Sequence, residues 1–409
     1  MVAAAAAAAA PRVVRRGLPR CAVAHVGLRL DAQRGQLLWR RLAATAPAAE
    51  DEVAAFARRK PHPVTGEDLL SVPEPWRAAK FLHTEMPIRF AERIRWIESI
   101  EGWRDVPQLH EVHNIHTNTF WALRRVERHP TLDKFTVVVE KAVRDQHEVV
   151  RLMASAMHRL QELRSGSFSP EFVDRFLDGF LLNRFGSNVL MSQYLELLKA
   201  DSRSTGIIDT ECDAAEVCRR AADDVLSVCM EYTAKRPHVN VEARSACGSD
   251  HGVPRFAYIP QVLRYIMCEL LKNSCRATIE AAESEDELAR RPISVVVCAD
   301  DRNVAICTSD KAGGIPFEIG SHVWSYLYST AHKGAARRTR ATELAGFGVG
   351  LPISRLYARY LGGSLDLISL PGYGTHAYLF LPRVESQQLE VVPDMDARYE
   401  YHTLGDYTV

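Results

Sequence analysis

The sequence predicts an α+β protein: an N-terminal four-helix bundle followed by a sheet that is covered by helices. Long segments between residues 75 and 235 repeat apolar side chains at three- and four-residue spacing, which is typical of amphipathic helices. After "DSRSTG" at 201–206, short alternating strands are interleaved with helices and end in antiparallel pairs. Long helices joined by short loops form bundles, so we expect the bundle over 50–205 and the sheet domain over 206–385.

The composition is that of a globular protein of two or three domains. The 409 residues are 47% hydrophobic and 25% charged, and 51 basic side chains balance 51 acidic ones. Since the net charge is zero, no overall field favours nucleic acid or anionic lipid. No segment has the roughly 18 consecutive apolar residues that a membrane span requires. Nine cysteines lack the spacing of a zinc site or a disulfide framework, so we expect a reducing compartment.

The first 49 residues have a different composition. They carry eight arginines and a single acid, Asp31, among Ala, Leu and Val. This composition is typical of a mitochondrial presequence, and the alternative is a flexible Ala-rich tail. A presequence would direct the mature chain to the mitochondrial matrix.

Helix and strand signals then follow in order. Ser169 and Pro170 form a strong helix start within the bundle. In the second half, "ISVVVCAD" and "NVAICTSD" read as strands that meet at a polar corner, and "SLDLISL" and "THAYLFLP" read as a final hairpin around "PGYG". A helix is expected to begin near Pro352, and residues 386–409 form a C-terminal tail.

One predicted helix, "CELLKNSCRATIE" at 268–280, carries polar groups on one face. Glu269 and Asn273 are four residues apart, and Arg276 lies three residues further on. A carboxylate beside an amide oxygen suits magnesium, which takes one or two protein oxygens and keeps its waters. The alternative is a solvated face with intrahelical hydrogen bonds.

Three glycines alternate in "LAGFGVGLP", directly before the helix at Pro352. Gly346, Gly348 and Gly350 would let backbone amides approach an anion, and the helix would add its positive N-terminal end. The preceding loop, 329–343, is basic and could close over a nucleotide. Both features also have a purely structural interpretation, in which the glycines form an ordinary turn and residues 329–343 form an ordinary solvated loop.

A third feature is "TSDKAGGIP" at 308–316, where Asp310 ends a strand and two glycines follow. Alone, this stretch is typical of a hairpin corner. The order of the parts is more specific: an acid-amide helix, Asp-x-x-Gly-Gly, a basic loop into GxGxG, and a strand pair split by Gly-Thr. This order resembles the GHKL ATPases, whose fold is an α/β sandwich that binds ATP.

Within that superfamily the sequence most resembles the mitochondrial pyruvate dehydrogenase kinases, through "YSTA", "GFGVGLPISRLYARYLGG" and "FTVVVEKAVRDQHEVVRLMA". The resemblance implies that Glu269 is the base, that Asn273 holds magnesium, and that Asp310, supported by Thr375, reads adenine. It also implies contacts between ATP and a larger set of residues: Lys272, Arg276, Gly314, Ser329, Thr330, Gly346, Phe347, Gly348, Val349, Gly350 and Leu351.

Four positions depart from the family pattern. Ala312 replaces a glycine, and a left-handed backbone there would cost roughly 1–2 kcal/mol. Tyr265 replaces a histidine, as in the branched-chain enzymes, and Asn188 replaces an arginine of the bundle. Asp406 and Tyr407 replace the tail's Asp-Trp pair, which favours the pyruvate branch.

The resemblance implies a serine kinase that uses Mg-ATP to inactivate the pyruvate dehydrogenase complex, as a homodimer docked on a lipoyl domain. Three alternatives remain open. They are a branched-chain 2-oxo-acid dehydrogenase kinase, a histidine kinase using His147, and a nucleotide-sensing scaffold disabled by Ala312 or Tyr265.

Overall fold

The computed structural model describes residues 49–71, 74–126, 132–163, 168–199, 206–245, 255–300, 303–320, 322–328, 348–383 and 390–393. The presequence expected over 1–49 lies outside these residues except for its last position. Most of the tail expected over 386–409 also lies outside them, including Asp406 and Tyr407. Within the described part, no helix combines the length and the apolarity needed to cross a membrane.

Four long helices pack as the predicted bundle, which confirms the all-helical N-terminal half. Two short helices precede them, α1 (Ala49–Ala57) and α2 (Gly66–Ser71), and the long ones are α3 (Pro75–Glu98), α4 (Pro107–Arg125), α5 (Leu132–Leu163) and α6 (Pro170–Leu197). Helix α3 packs against α4 and α6, and α5 packs against the same two helices. A 3-10 turn, Trp103–Asp105, links α3 to α4.

The helix starts follow local rules. Pro75, Pro107 and Pro170 occupy first-turn positions, where the missing N–H costs nothing. The predicted start at Ser169 is confirmed, because its hydroxyl accepts from the Phe172 amide at 3.2 Å. The visible apolar periodicity here begins with "TNTFWALRRVERH" at Thr117, but helix α4 begins ten residues earlier, at Pro107. Its first turns are rich in histidine and asparagine, which hides the helical pattern.

Aromatic side chains fill the bundle, but its core also holds a polar cluster. The His116 ring lies 5.6 Å from Phe90 and 5.5 Å from Phe180. Arg93 is fully buried over the Phe90 ring. Nearby, the Asn183 amide donates to Glu92 at 2.8 Å, and burial raises the pKa of Glu92 to about 8. Asn188, the position that departs from the family pattern, is half-buried on α6.

The second half is a five-stranded mixed sheet, and the α+β prediction is confirmed. Its strands lie in the order β2 (Val239–Ser245), β4 (Ile293–Ala299), β5 (Asn303–Ser309), β7 (Gly374–Pro382) and β6 (Ser364–Leu370). Among the described strands of this sheet, only β2 and β4 pair in parallel. All four strands of the two predicted pairs are present. A separate antiparallel pair, β1 (Asp209–Cys212) with β3 (Phe256–Tyr258), was not predicted, because its strands are too short to alternate visibly.

Helices cover one face of this sheet. They are α7 (Ala214–Thr233), α8 (Pro260–Ala281) and α11 (Gly350–Tyr360), while α9 (Glu285–Ala289) and α10 (Phe317–Gly320) are short peripheral turns. Val295, Val297, Val304 and Ile306 point into the helical layer and are buried, as the alternation predicts. Helix α11 begins at Gly350, two residues earlier than the proline signal indicated.

The bundle and the sheet domain share an apolar and ionic contact. The Phe185 ring of α6 stacks on Tyr357 of α11 with centroids 3.8 Å apart. Beyond the sheet, Glu390 returns to the bundle, where it accepts hydrogen bonds from Arg89 and, at 2.5 Å, from the Tyr360 hydroxyl. Burial alone would lower the pKa of Arg89, but the Glu390 carboxylate raises it above its ordinary value. One acid therefore joins α3, α11 and the segment after β7.

Candidate functional site

Glu269 lies in the middle of α8, on the side of the helix that approaches α11. Its side chain is 18% exposed and forms an ion pair with Lys272, whose Nζ lies 2.5 Å from Oε1. The spacing of three residues places the two groups on one face, as predicted. The carboxylate is thus partly desolvated and held beside a positive charge.

The start of α11 closes against this carboxylate. A Cβ built on Gly350 would lie closer than 3.0 Å to Oε2 of Glu269. No side chain caps the first turn of α11, which leaves its amides free to bind an anion. The glycine therefore brings an uncapped helix N-terminus directly against the predicted base.

The residues on either side of Gly350 complete the turn. Gly348 has a φ of +73°, and a Cβ there would lie 2.6 Å from the carbonyl oxygen of Tyr328. Val349 precedes the helix, and Leu351 packs partly buried against the core. The remaining predicted contacts of this region lie outside the described residues: Ser329, Thr330, Gly346 and Phe347.

The magnesium candidate, Asn273, is exposed one turn after Glu269. Its side chain makes no hydrogen bond to any described residue, so its amide oxygen is available to a ligand. Arg276 turns along the helix instead and donates from Nε to Glu280 at 2.9 Å. In the described part of the chain, no three His, Cys, Asp or Glu side chains are grouped to hold a metal. A cation here would rely on Asn273 and on oxygens of a ligand.

Asp310 is fixed from three directions at the end of β5. Its Oδ2 accepts from the Ser274 hydroxyl at 2.9 Å, and its Oδ1 accepts from the Ala312 amide at 3.1 Å. The Thr375 amide adds a longer contact to Oδ1 at 3.4 Å. The residue is only 6% exposed. A carboxylate held this firmly presents its remaining lone pairs in one direction.

The turn after Asp310 has its left-handed residues at two glycines and not at Ala312. Positive φ angles occur at Gly313 (+90°) and Gly314 (+72°), whereas Ala312 is absent from the left-handed region. Its backbone amide instead donates a hydrogen bond to Oδ1 of Asp310. The alanine therefore carries no left-handed strain, and the expectation that it disables the site loses its physical basis.

Comparisons with known proteins place the chain in a family. Residues 64–209 match the family model described as mitochondrial branched-chain alpha-ketoacid dehydrogenase kinase, and residues 259–385 match the histidine kinase-, DNA gyrase B- and HSP90-like ATPase model. The mitochondrial [pyruvate dehydrogenase (acetyl-transferring)] kinase of Arabidopsis thaliana is 35% identical over 76% of this chain and 86% of its own. Human isozyme 4 is 31% identical over 84% and 86%.

The chain belongs to the pyruvate dehydrogenase kinase family. A Drosophila melanogaster member is also similar, with 29% identity over 76% of this chain and 79% of its own. The motif order that suggested the family thus agrees with similarity along most of the sequence.

In this family member, two hydroxyl residues that hold Asp310 and the turn after it were not predicted. Ser274 anchors Asp310, and the Ser369 hydroxyl accepts from the Ile315 amide at 2.7 Å while lying 3.1 Å from the Thr375 hydroxyl. Serine on a buried helix face or in a strand has no sequence signal of its own. Only the fact that Ser274 directly follows Asn273 could have drawn attention to it.

Tyr265, at the position where the resemblance implied a histidine, lies one turn before Glu269. Its ring is 5.0 Å from that of Tyr357 on α11. Burial raises the pKa of Tyr357, and the nearby Glu269 adds to this, while Arg184 of the bundle opposes it. Tyr265 therefore fills an aromatic layer behind Glu269.

Proposed function

We propose that the protein is a serine kinase that transfers the γ-phosphate of Mg-ATP to the dehydrogenase component of the pyruvate dehydrogenase complex and thereby inactivates it. The observation that carries this proposal is the Glu269 carboxylate, packed against the uncapped N-terminus of α11 at Gly350. A proton acceptor and a phosphate-binding turn are in contact. These are the two parts that phosphoryl transfer to a hydroxyl requires.

Glu269 would accept the proton of the substrate serine as its oxygen attacks the γ-phosphorus and ADP leaves. Lys272, now paired with Glu269, would lie close enough to neutralise phosphate charge. The amides of Gly348 to Leu351 would bind phosphate oxygens, with Gly346 and Phe347 extending the same loop. Ser329 and Thr330 would line the ribose side. Charge neutralisation and alignment supply most of the rate in such reactions.

Asn273 would hold Mg²⁺ together with ATP oxygens, and its exposed amide fits a cation that takes few protein ligands. The ion would neutralise charge that develops on the phosphates. Arg276 would approach the nucleotide only after leaving Glu280.

Asp310 would accept a hydrogen bond from the adenine amino group, with Thr375 and Gly314 shaping the pocket. Its fixed carboxylate and small exposed fraction support this role. The amide of Asp310→Asn must turn its N–H₂ group toward either Ser274 or the adenine ring. ATP affinity should therefore fall, while GTP affinity is spared. Equal loss for both nucleotides would contradict adenine recognition.

The decisive experiment incubates the protein and labelled Mg-ATP with purified pyruvate dehydrogenase complex. We expect acid-stable phosphoserine on the dehydrogenase component, loss of complex activity, and no transfer by Glu269→Gln with nucleotide binding retained. Glu231→Gln, an exposed acid on α7, is the matched control. Nucleotide binding without transfer by the wild type would overturn the kinase assignment, and acid-labile label on the protein itself would favour a histidine kinase.

A branched-chain 2-oxo-acid dehydrogenase kinase is the second candidate. The model that matches residues 64–209 is named for that enzyme. The sequence resemblance also implies a tyrosine at the position of Tyr265 in the branched-chain enzymes. The same assay with the branched-chain complex decides between them by which complex loses activity.

The arginine-rich segment at 1–49 supports import into the mitochondrial matrix. A homodimer is supported by the face of the sheet that no described helix covers, where Ile368 and Phe380 are exposed and the rings of Tyr378 and Phe380 lie 6.5 Å apart. Phe380→Asp should shift sedimentation toward the monomer, whereas Phe317→Asp, at a phenylalanine that is more exposed and lies outside this face, should not. Docking through the bundle onto a lipoyl domain is a further part of the proposal, tested by retention on an immobilised lipoyl domain.

A further inference from the structure

Ser325 and Tyr326 of the sheet domain lie against helix α6 of the bundle. The Tyr326 amide donates to Oδ1 of Asp174 at 2.7 Å, and the Tyr326 hydroxyl donates to Oδ1 of Asp178 at 2.7 Å. The two acids are four residues apart and therefore share one face of α6. One buried tyrosine is thus held at its backbone and at its side-chain tip by adjacent turns of the bundle.

The charges around this contact are mainly acidic. Burial raises the pKa of Asp174, and the nearby Asp178 and Glu171 act in the same direction, whereas hydrogen bonds from Ser325 and from the Tyr326 amide oppose the rise. Two like charges on one face are unfavourable unless donors satisfy them. Residues 325 and 326 supply such donors. This segment therefore stabilises the acidic face of α6, and the acids in turn fix the position of the segment.

The next residue has an unusual backbone. Leu327 has a φ of +65°, and among the described non-glycine residues only Ala234, at +55°, also has a positive φ. A side chain disfavours this conformation, and such residues persist where their surroundings over-determine them. The hydrogen bonds at Tyr326 hold the chain directly before Leu327, whose side chain packs on the core.

The backbone of Leu327 and Tyr328 packs against Gly348 in the phosphate-binding turn. A Cβ on Gly348 would lie 2.6 Å from the Tyr328 oxygen and 2.9 Å from the Leu327 carbonyl carbon. Two residues later, Gly350 lies against Glu269. A second brace is the Arg355 guanidinium of α11, centred 4.6 Å over the Trp324 ring. Contacts therefore run without a gap from α6 through 326–328 to Gly348, Gly350 and the predicted base.

We propose that Asp174 and Asp178 are positioning residues for the phosphate-binding turn. By holding Tyr326 they fix the carbonyls of 327 and 328, on which Gly348 rests, and so set the distance between the turn and Glu269. The acids do not touch the nucleotide. The identity of that nucleotide as Mg-ATP rests on the proposed function, whereas the contacts between α6 and the turn do not.

The test is a double-mutant cycle on the pair that shares a side-chain hydrogen bond. Asp178→Ala and Tyr326→Phe should each weaken Mg-ATP binding by about 2- to 30-fold, the range found for residues that couple two sites. Since both changes remove the same bond, the double variant should lose no more than the worse single variant. Asp178→Asn keeps an acceptor oxygen and should regain most of the affinity.

Binding is measured by titration with labelled ATP and Mg²⁺, below the melting temperature of every variant as followed by circular dichroism. The KM for ATP should rise while the KM for the dehydrogenase substrate stays unchanged, which a general loss of structure would not produce. Asp223→Ala, an exposed acid on α7, should bind ATP as the wild type does.

Wild-type affinity in both single variants, or losses that simply add, would overturn the proposal. A wild type that binds Mg-ATP but phosphorylates no dehydrogenase would instead reject the proposed function, and the affinities of the Asp178 and Tyr326 variants would still decide whether this contact positions the turn. A wild type that binds no nucleotide would overturn both.

Discussion

Gly350 and Glu269 are packed so closely that no side chain fits between them: a Cβ on the glycine would overlap Oε2 of the carboxylate. The two residues are remote in sequence and belong to different helices, α11 and α8. Glycine at 350 is therefore required by a close approach rather than by backbone conformation, since its φ is not positive.

Gly350→Ala should lower the rate of phosphoryl transfer by about 100-fold, the penalty for a displacement of roughly 1 Å at a reacting group. The carboxylate is the end of a flexible side chain, so it should move and leave the helix folded. Single-turnover transfer and circular dichroism are the measurements. Gly320→Ala, where an added Cβ meets nothing within 4 Å, is the control. A variant that transfers phosphate at the wild-type rate would contradict the assigned base.

Substitutions at the two ends of the turn after Asp310, residues 312–314, should have different effects. Gly314 has a φ of +72°, and a Cβ there would run into the Leu370 carbonyl, so Gly314→Ala should weaken ATP binding and cost roughly 1–2 kcal/mol in left-handed strain. Ala312→Gly should leave ATP affinity unchanged and lower the free energy of unfolding by about 0.4–1 kcal/mol through chain entropy. Tighter binding by Ala312→Gly would mean that the alanine impairs the site.

Removing Glu390 should destabilise the junction of the two halves. Glu390→Ala leaves the buried Arg89 with one carboxylate fewer and the Tyr360 hydroxyl without its acceptor, so the free energy of unfolding should fall by about 3 kcal/mol. Urea unfolding measures the change. Glu283→Ala, an exposed acid beside α9, should stay within about 0.5 kcal/mol of the wild type. A similarly small change for Glu390→Ala would show that the segment after β7 does not hold the halves together.

Because of Glu92, the folded protein should become less stable as the pH rises. Its pKa is raised to about 8 by burial from an ordinary value of 4.5, so the folded state holds a proton that the unfolded state releases. The resulting stability is complete below about pH 4.5 and is lost as pH rises through about 8, by at most ~1.4 kcal/mol per unit.

Glu92→Gln mimics the protonated side chain and keeps an acceptor for Asn183. The variant should match the wild type at pH 5 and exceed it at pH 9 in thermal unfolding. Glu231→Gln should show no such divergence. Parallel pH profiles for the wild type and Glu92→Gln would mean that Glu92 is ionised in the folded protein.

Much of the architecture could be predicted because its signals are local. The three- and four-residue spacing in 132–163 and the alternation in β4 and β5 reflect the repeat of each backbone conformation. Where local signals were weak, prediction failed: the polar first turns of α4 hid its start, and the short pair β1 and β3 was missed. The candidate site followed from the order of motifs rather than from any one residue.

By itself, the sequence determined the helical and strand segments, the two-part architecture, and the glycine and acid motifs whose order indicates a GHKL ATPase. Only the tertiary structure decided that Ala312 avoids the left-handed region, that Ser274 anchors Asp310, that Glu390 meets Arg89, and that Asp178 holds Tyr326 beneath the glycine turn. The physical reason is separation along the chain. Periodicity reports the conformation of neighbouring residues, whereas these contacts depend on the path of the whole backbone, which places partners 36 to 301 residues apart within hydrogen-bonding distance.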